Sequence, residues 1–123
     1  MAALRSLDDL QERIAAVVQI TEIRAIAQDR LWLSPSAGRD TVALHFTWVA
    51  DEAAVAPVVA AVEERLGAFG ARPHWGKVFR TPPDVVRGLY ERFDDFEGLV
   101  RDLDPTGTFR NELLDAYLPG ARP

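Results

Sequence analysis

The 123-residue chain contains no cysteine, which excludes disulfides and thiolate metal sites together. Histidine is scarce, with only His45 and His74, and no metal site is expected from so few ligands. Basic residues are outnumbered, 14 Lys and Arg against 19 Asp and Glu, and the net charge is −5. With no Lys/Arg run, non-specific nucleic-acid binding is disfavoured. No apolar run approaches the roughly 20 residues needed to cross a bilayer, so no membrane anchor is expected. The opening residues Met1 to Ser6 lack a basic start followed by an apolar stretch. No signal peptide is therefore expected, and the default location is cytoplasmic. What remains is a balanced composition, 48% hydrophobic and 27% charged, typical of a folded domain. Its length suits a single domain over residues 1–123, without repeat, low-complexity tract or linker.

Periodicity orders the elements. Ser6 with Asp9 resembles a helix start, and Leu7, Leu10, Ile14 and Val17 recur at helical spacing, predicting a helix over 7–17. Residues 18–27 change to period two and are rich in β-branched side chains. A strand is predicted there, with Ile23, Ala25 and Ala27 on its apolar face. A loop marked by Ser34-Pro35-Ser36 and Gly38 follows over 28–40. The clearest strand runs over 41–49, where Val42, Leu44, Phe46 and Trp48 alternate with smaller or polar residues.

Asp51 caps a helix with Val55, Val58, Val59, Val62 and Leu66 as its stripe, and Pro57 should shift its start or kink it. A third short strand is predicted over 71–79. Helices then follow: one opened by Thr81-Pro82, one from Asp94 or Asp95 to Leu103, and one from about Asn111 to Leu118. The order predicts an α+β fold: residues 7–79 as a partial ferredoxin-like antiparallel sheet with helices on one face, and 80–123 as a C-terminal helical segment. The opening strand of that motif is missing, so an unpaired edge is expected, as in a piece of a larger protein.

Three polar clusters interrupt these strands: Glu22-Ile23-Arg24, His45-Phe46-Thr47-Trp48 and Arg72-Pro73-His74-Trp75-Gly76-Lys77. The two-residue strand repeat puts Glu22 and Arg24 on one face, roughly 7 Å apart, and pairs His45 with Thr47 likewise. A carboxylate, guanidinium, imidazole, hydroxyl and ammonium gathered together suit gripping and deprotonating a polyhydroxylated small molecule. Read singly, each has a plainer explanation. Glu22 and Arg24 make an ordinary surface ion pair, His45 a structural histidine, Thr47 a good strand residue and Lys77 a solvent-facing lysine. Trp48, Trp75, Tyr90, Phe93 and Phe96 read as packing.

These clusters, together with Leu31-Trp32-Leu33-Ser34-Pro35, Gly38-Arg39-Asp40 and Leu103-Asp104-Pro105 followed by Gly107, Phe109 and Asn111, resemble one known family. It is that of the FAD-dependent alditol (xylitol) and D-arabinono-1,4-lactone oxidases, in the vanillyl-alcohol-oxidase superfamily. The resemblance covers about residues 14–118 and is to the C-terminal part of the cap domain, which closes the substrate pocket over the flavin. One departure is Ala37, where similar enzymes often carry an aromatic residue.

The resemblance implies oxidation of a terminal hydroxyl of a sugar alcohol, or of an aldonolactone, with oxygen as acceptor and hydrogen peroxide as product. It implies Arg24 and His45 as catalytic residues, with His45 the base because an imidazole accepts a proton at neutral pH. Arg24 would stabilise the alkoxide. Glu22, Arg24, Thr47 and Lys77 would bind the substrate, and His74 would face the FAD. The FAD-binding domain is expected to lie outside the chain, in cis or in trans, leaving the chain inactive alone. The other reading is a stand-alone, non-catalytic ferredoxin-like module that dimerises through its free sheet edge.

Overall fold

Alternation of large apolar and small or polar residues over 41–49 becomes strand β2, Thr41–Trp48, in a computed structural model that describes residues 2–121. Strand β1, Val18–Ile26, pairs with it antiparallel. Glu22 stands opposite His45, Ile20 opposite Thr47, Arg24 opposite Ala43 and Ile26 opposite Thr41, with one irregularity between Val18 and Ile20. Side chains alternate across a strand, so these eight residues share one face and Thr21, Ile23, Leu44 and Phe46 share the other. The fold is α+β, as the sequence predicts.

Helix α3, Glu52–Gly67, starts where predicted: the Asp51 side chain accepts a hydrogen bond from the Ala54 amide at 3.1 Å. Pro57 leaves this start unshifted, and the helix is continuous past it. Val55, Val58, Val59 and Val62 are buried against Leu7, Leu10 and Val17, with Leu44, Phe46, Trp48 and Leu66 packed around them. This first core therefore covers the apolar face of β2 and leaves the opposite face to the polar residues.

The N-terminal helix differs from expectation. Instead of one helix over 7–17 there are α1 (Ala2–Arg5), a 3-10 turn (Asp8–Leu10) and α2 (Gln11–Ala15). Ser6 caps nothing, because its hydroxyl donates to the Ala3 carbonyl at 2.7 Å. The face of β1 assigned to Ile23, Ala25 and Ala27 is not buried, and Ile23 remains 57% exposed. The reason is that the sheet has two strands among the described residues, and the covering helices reach mainly β2.

The third strand predicted over 71–79 does not form: these residues are irregular, with a turn at 75–77. Pro73 has no N–H to offer a ladder. Arg72 and Trp75 instead send their side chains to carbonyls of the 33–37 loop.

The C-terminal helices are α4 (Pro83–Gly88), α5 (Phe93–Leu103) and α6 (Glu112–Tyr117). Pro83 rather than Pro82 opens α4, and the Thr81 hydroxyl does not cap it. Asn111 caps α6 through the Leu114 amide at 2.9 Å. Val86, Tyr90, Phe93 and Leu118 form a second core, with Leu33, Trp75, Phe79, Phe96 and Tyr117 packed around it. Trp75 stacks on Tyr90 at 5.9 Å and meets Tyr117 edge-on at 6.1 Å. Among the described residues no helix is long and apolar enough to cross a membrane.

Candidate substrate-binding site

Pairing of β1 with β2 creates the polar patch. Glu22 and His45 are directly opposed across the ladder, the closest relation two strands offer their side chains. Glu22 Oε2 lies 2.9 Å from His45 Nδ1 and 2.6 Å from Arg24 Nη2. A carboxylate only accepts, so a neutral His45 bonded to it carries its proton on Nδ1 and leaves Nε2 as a free acceptor. The hydrogen bond from His45, then that from Arg24 and the guanidinium charge, hold the Glu22 carboxyl below its usual value of 4.5. The carboxylate is therefore ionised at neutral pH and fixes the imidazole on one side and the guanidinium on the other.

Thr47 is on the same face as His45, two residues further along β2, and is exposed. The patch is open to solvent: the side chains of Glu22, Arg24 and His45 are 42%, 62% and 35% exposed. Four of the six sequence-predicted site residues are thus together. The other two, His74 and Lys77, sit on the exposed turn after α3, and among the described residues neither bonds to the sheet cluster. That turn is well defined. The Lys77 amide donates to the His74 carbonyl at 3.0 Å, and the Gly76 amide to His74 Nδ1 at 3.1 Å. Among the described residues Nε2 of the His74 imidazole has no hydrogen-bond partner.

The loop over 28–40 leads straight into β2 and is internally bonded. Asp29 accepts from the Leu31 amide at 2.9 Å and the Ser34 hydroxyl at 2.5 Å, and buried Ser36 meets Thr41 at 2.7 Å. Two arginines that the sequence motifs contain were given no role by sequence reasoning. Arg39 and Arg72 bond backbone carbonyls 31 and 35 residues away, Gly70 and Ala37 respectively. The signal available was slight: each arginine stands in a quoted motif, but no local pattern names a partner more than 30 residues away. Among the described residues no group of three His, Asp or Glu side chains is placed to hold a metal ion.

Comparison with known proteins places the chain in a family. The family profile of D-arabinono-1,4-lactone oxidase matches residues 1–117. Alditol oxidase from Streptomyces sp. (strain IKD472 / FERM P-14339) is 52% identical over 118 residues, 96% of this chain and 28% of that protein. Long-chain alcohol oxidase from an uncultured marine euryarchaeote is 39% identical over 92 residues, 70% of this chain and 19% of its own length. L-gulono-1,4-lactone dehydrogenase of Mycobacterium tuberculosis is 32% identical over 120 residues, 95% of this chain and 27% of its length. The chain thus spans less than a third of the curated relatives it matches. With 117 of its residues under one family profile, the chain belongs to the D-arabinono-1,4-lactone oxidase family.

Proposed function

We propose that the chain is the substrate-binding portion of an FAD-dependent oxidase acting on a terminal hydroxyl of a sugar alcohol, or on an aldonolactone. The observation that carries this reading is the Glu22–His45–Arg24 cluster, held by bonds of 2.9 and 2.6 Å on one sheet face. His45 Nε2 takes the hydroxyl proton, and the carboxylate beyond Nδ1 stabilises the imidazolium that forms. Arg24 donates to the alkoxide oxygen as charge develops. Glu22 Oε1 and Thr47 accept or donate to neighbouring hydroxyls of the polyol, and Lys77 reaches in from its turn.

The residues present fit one edge of a flavin. His74 and Lys77 are exposed on a single tight turn, and His74 has one ring nitrogen free for a polar ring edge. FAD, once bound, supplies the hydride acceptor, with oxygen as final electron acceptor giving hydrogen peroxide. The patch is open on its sheet face, so this reading requires a flavin-binding region, in cis or in trans, to cover it and exclude water. Without that cover the chain binds polyol weakly and oxidises nothing.

A chimera tests the proposal: this chain replacing the matching segment of the Streptomyces alditol oxidase. A yellow chimera that releases peroxide with xylitol, and stops doing so with His45→Ala, is the expected result. A folded, flavin-loaded chimera that oxidises no polyol or aldonolactone would overturn it.

One observation favours a second reading, a non-catalytic module that dimerises by strand addition. Ile20 and Val42 are 59% and 62% exposed on a sheet of two strands. Sedimentation showing a dimer indifferent to xylitol and sorbitol would favour it.

A further inference from the structure

Two arginines cross over one another between the loop that feeds β2 and the turn that follows α3. Arg39, two residues before Thr41, donates through Nη2 to the Gly70 carbonyl at 2.6 Å. Arg72 reaches the opposite way, donating through Nη1 to the Ala37 carbonyl at 2.8 Å and the Pro35 carbonyl at 3.4 Å. Its Nε bonds the Leu89 carbonyl at 2.9 Å, just beyond α4. The guanidinium lies 4.8 Å over the ring of Tyr90, and that ring stacks on Trp75. The Trp75 indole N–H then returns to the loop at the Leu33 carbonyl, 2.9 Å away.

Neither arginine forms an ion pair with a carboxylate among the described residues. Burial, followed by the nearby charge of Arg39, pushes the Arg72 guanidinium below its ordinary value. Two partly buried like charges without a direct ion-pair partner oppose folding, with the charges of Glu91 and Asp29 near enough to offset part of that cost. Their retention needs another reason, and the geometry supplies one: three backbone carbonyls from two segments, the 28–40 loop and the end of α4, converge on a single planar fork. A lysine ammonium cannot satisfy that arrangement, because its donors lie on one point.

We propose that Arg72 is a positioning residue of the substrate site: with Arg39 it clasps the 28–40 loop to the 70–77 segment and so fixes where His74 and Lys77 stand relative to His45. The proposal rests on the functional reading above, since it gives a purpose to holding those side chains still. Trp75 is the immovable member of the turn, locked by its indole bond and aromatic neighbours, while His74 and Lys77 on either side stay exposed. The other end of the clasp is two residues from β2, so a shift of the loop is passed directly to the strand carrying His45 and Thr47.

The experiment reads two quantities in the chain with Arg72→Gln: hydrogen exchange of the Trp75 indole and Lys77 amide by NMR, and xylitol affinity by titration. Loss of the fork should speed both exchange rates about tenfold, as local opening becomes easier. It should weaken xylitol binding by a similar factor, and Arg72→Lys should rescue neither. Val62→Ala, in the first core, should lower thermal stability while leaving exchange at Trp75 and xylitol affinity unchanged. Arg39→Gln, which removes one carbonyl contact, gives a milder version of the same pattern and serves if Arg72→Gln fails to fold. Unchanged indole exchange in Arg72→Gln or Arg39→Gln would overturn the clasp. If the unmodified chain bound no polyol, the functional reading would fail, and the exchange rates would still decide the clasp.

Discussion

Replacing Glu97 by Gln probes the support beneath the 74–77 turn. Glu97 lies on α5, is only 3% exposed, and is bonded on both oxygens. Oε2 accepts from Arg87 Nη2 at 2.8 Å and Oε1 from the Gly120 amide at 3.1 Å. Arg87 also pairs with Asp94 at 2.5 Å and covers the Phe93 ring at 5.1 Å. One carboxylate thus joins α4, α5 and the C-terminal turn around the second core, on which Trp75 rests. Glutamine keeps the shape and the acceptor for Gly120 but turns an amide N–H donor toward Arg87 Nη2, so the substitution removes both the charge and that hydrogen bond.

A hydrogen bond to a charged partner contributes about 1.5–3 kcal/mol. The lower half applies here, because Arg87 is 42% exposed and keeps Asp94. The expected loss is about 2 kcal/mol, or roughly 6–10 °C in Tm for a chain of this length. The acid dependence follows from the carboxyl group. Burial pushes it up, but the bonds from Arg87 and Gly120 and the charges of Arg87 and Arg101 prevail and hold it below 4.5. Its stabilisation is complete above the unfolded value and lost as pH falls through the lower folded one.

Urea melts at neutral and acid pH should therefore show a gap between the natural chain and Glu97→Gln that closes only below 4.5. A difference under about 0.5 kcal/mol at neutral pH, within the range of ordinary surface changes, would refute the reasoning. A gap unmoved by acid would refute it equally.

Gly120→Ala should destabilise by about 1–3 kcal/mol through overpacking, because its Cβ would fall 2.6 Å from Glu97 Oε2. In a Glu97→Ala background that loss should largely vanish, which a double-mutant cycle by thermal denaturation would detect. Phe93→Ala removes a ring only 1% exposed and should lose about 3–5 kcal/mol in urea unfolding. Glu22→Gln should weaken xylitol binding and remove its acid limb. In the natural chain the carboxyl is held below 4.5, so binding measured by titration should persist at pH 4.5 and fall only beneath it.

Short-range patterns were legible where a single period governed several side chains. The alternation Val42, Leu44, Phe46, Trp48 gave β2 and its packing face, and the stripe from Val55 to Val62 gave α3 with its Asp51 cap. Placement of Glu22 and Arg24 on one face, and of His45 and Thr47 on another strand's face, followed from period two alone. That these two pairs meet depends on register, which the antiparallel ladder sets and no local pattern states.

The third strand was misjudged because Arg72 to Phe79 has strand-like residue types, while strand formation also needs a partner edge. The arginine fork and the Trp75 indole bond attach this segment to a loop about 40 residues earlier, and such long-range contacts leave no periodic trace. Nothing in the local pattern of α5 marks Glu97 as buried. Its burial depends on Gly120 lacking a Cβ, a fact spread over 23 residues of chain.

The site assignment is tested most directly by a backbone and imidazole NMR titration of this chain with xylitol. Binding at the polar face predicts shift changes confined to Glu22, Arg24, His45 and Thr47, with Lys77 following, and their loss in His45→Ala. Changes centred on Ile23, Leu44 and Phe46 on the reverse face, or none at saturating polyol, would contradict it.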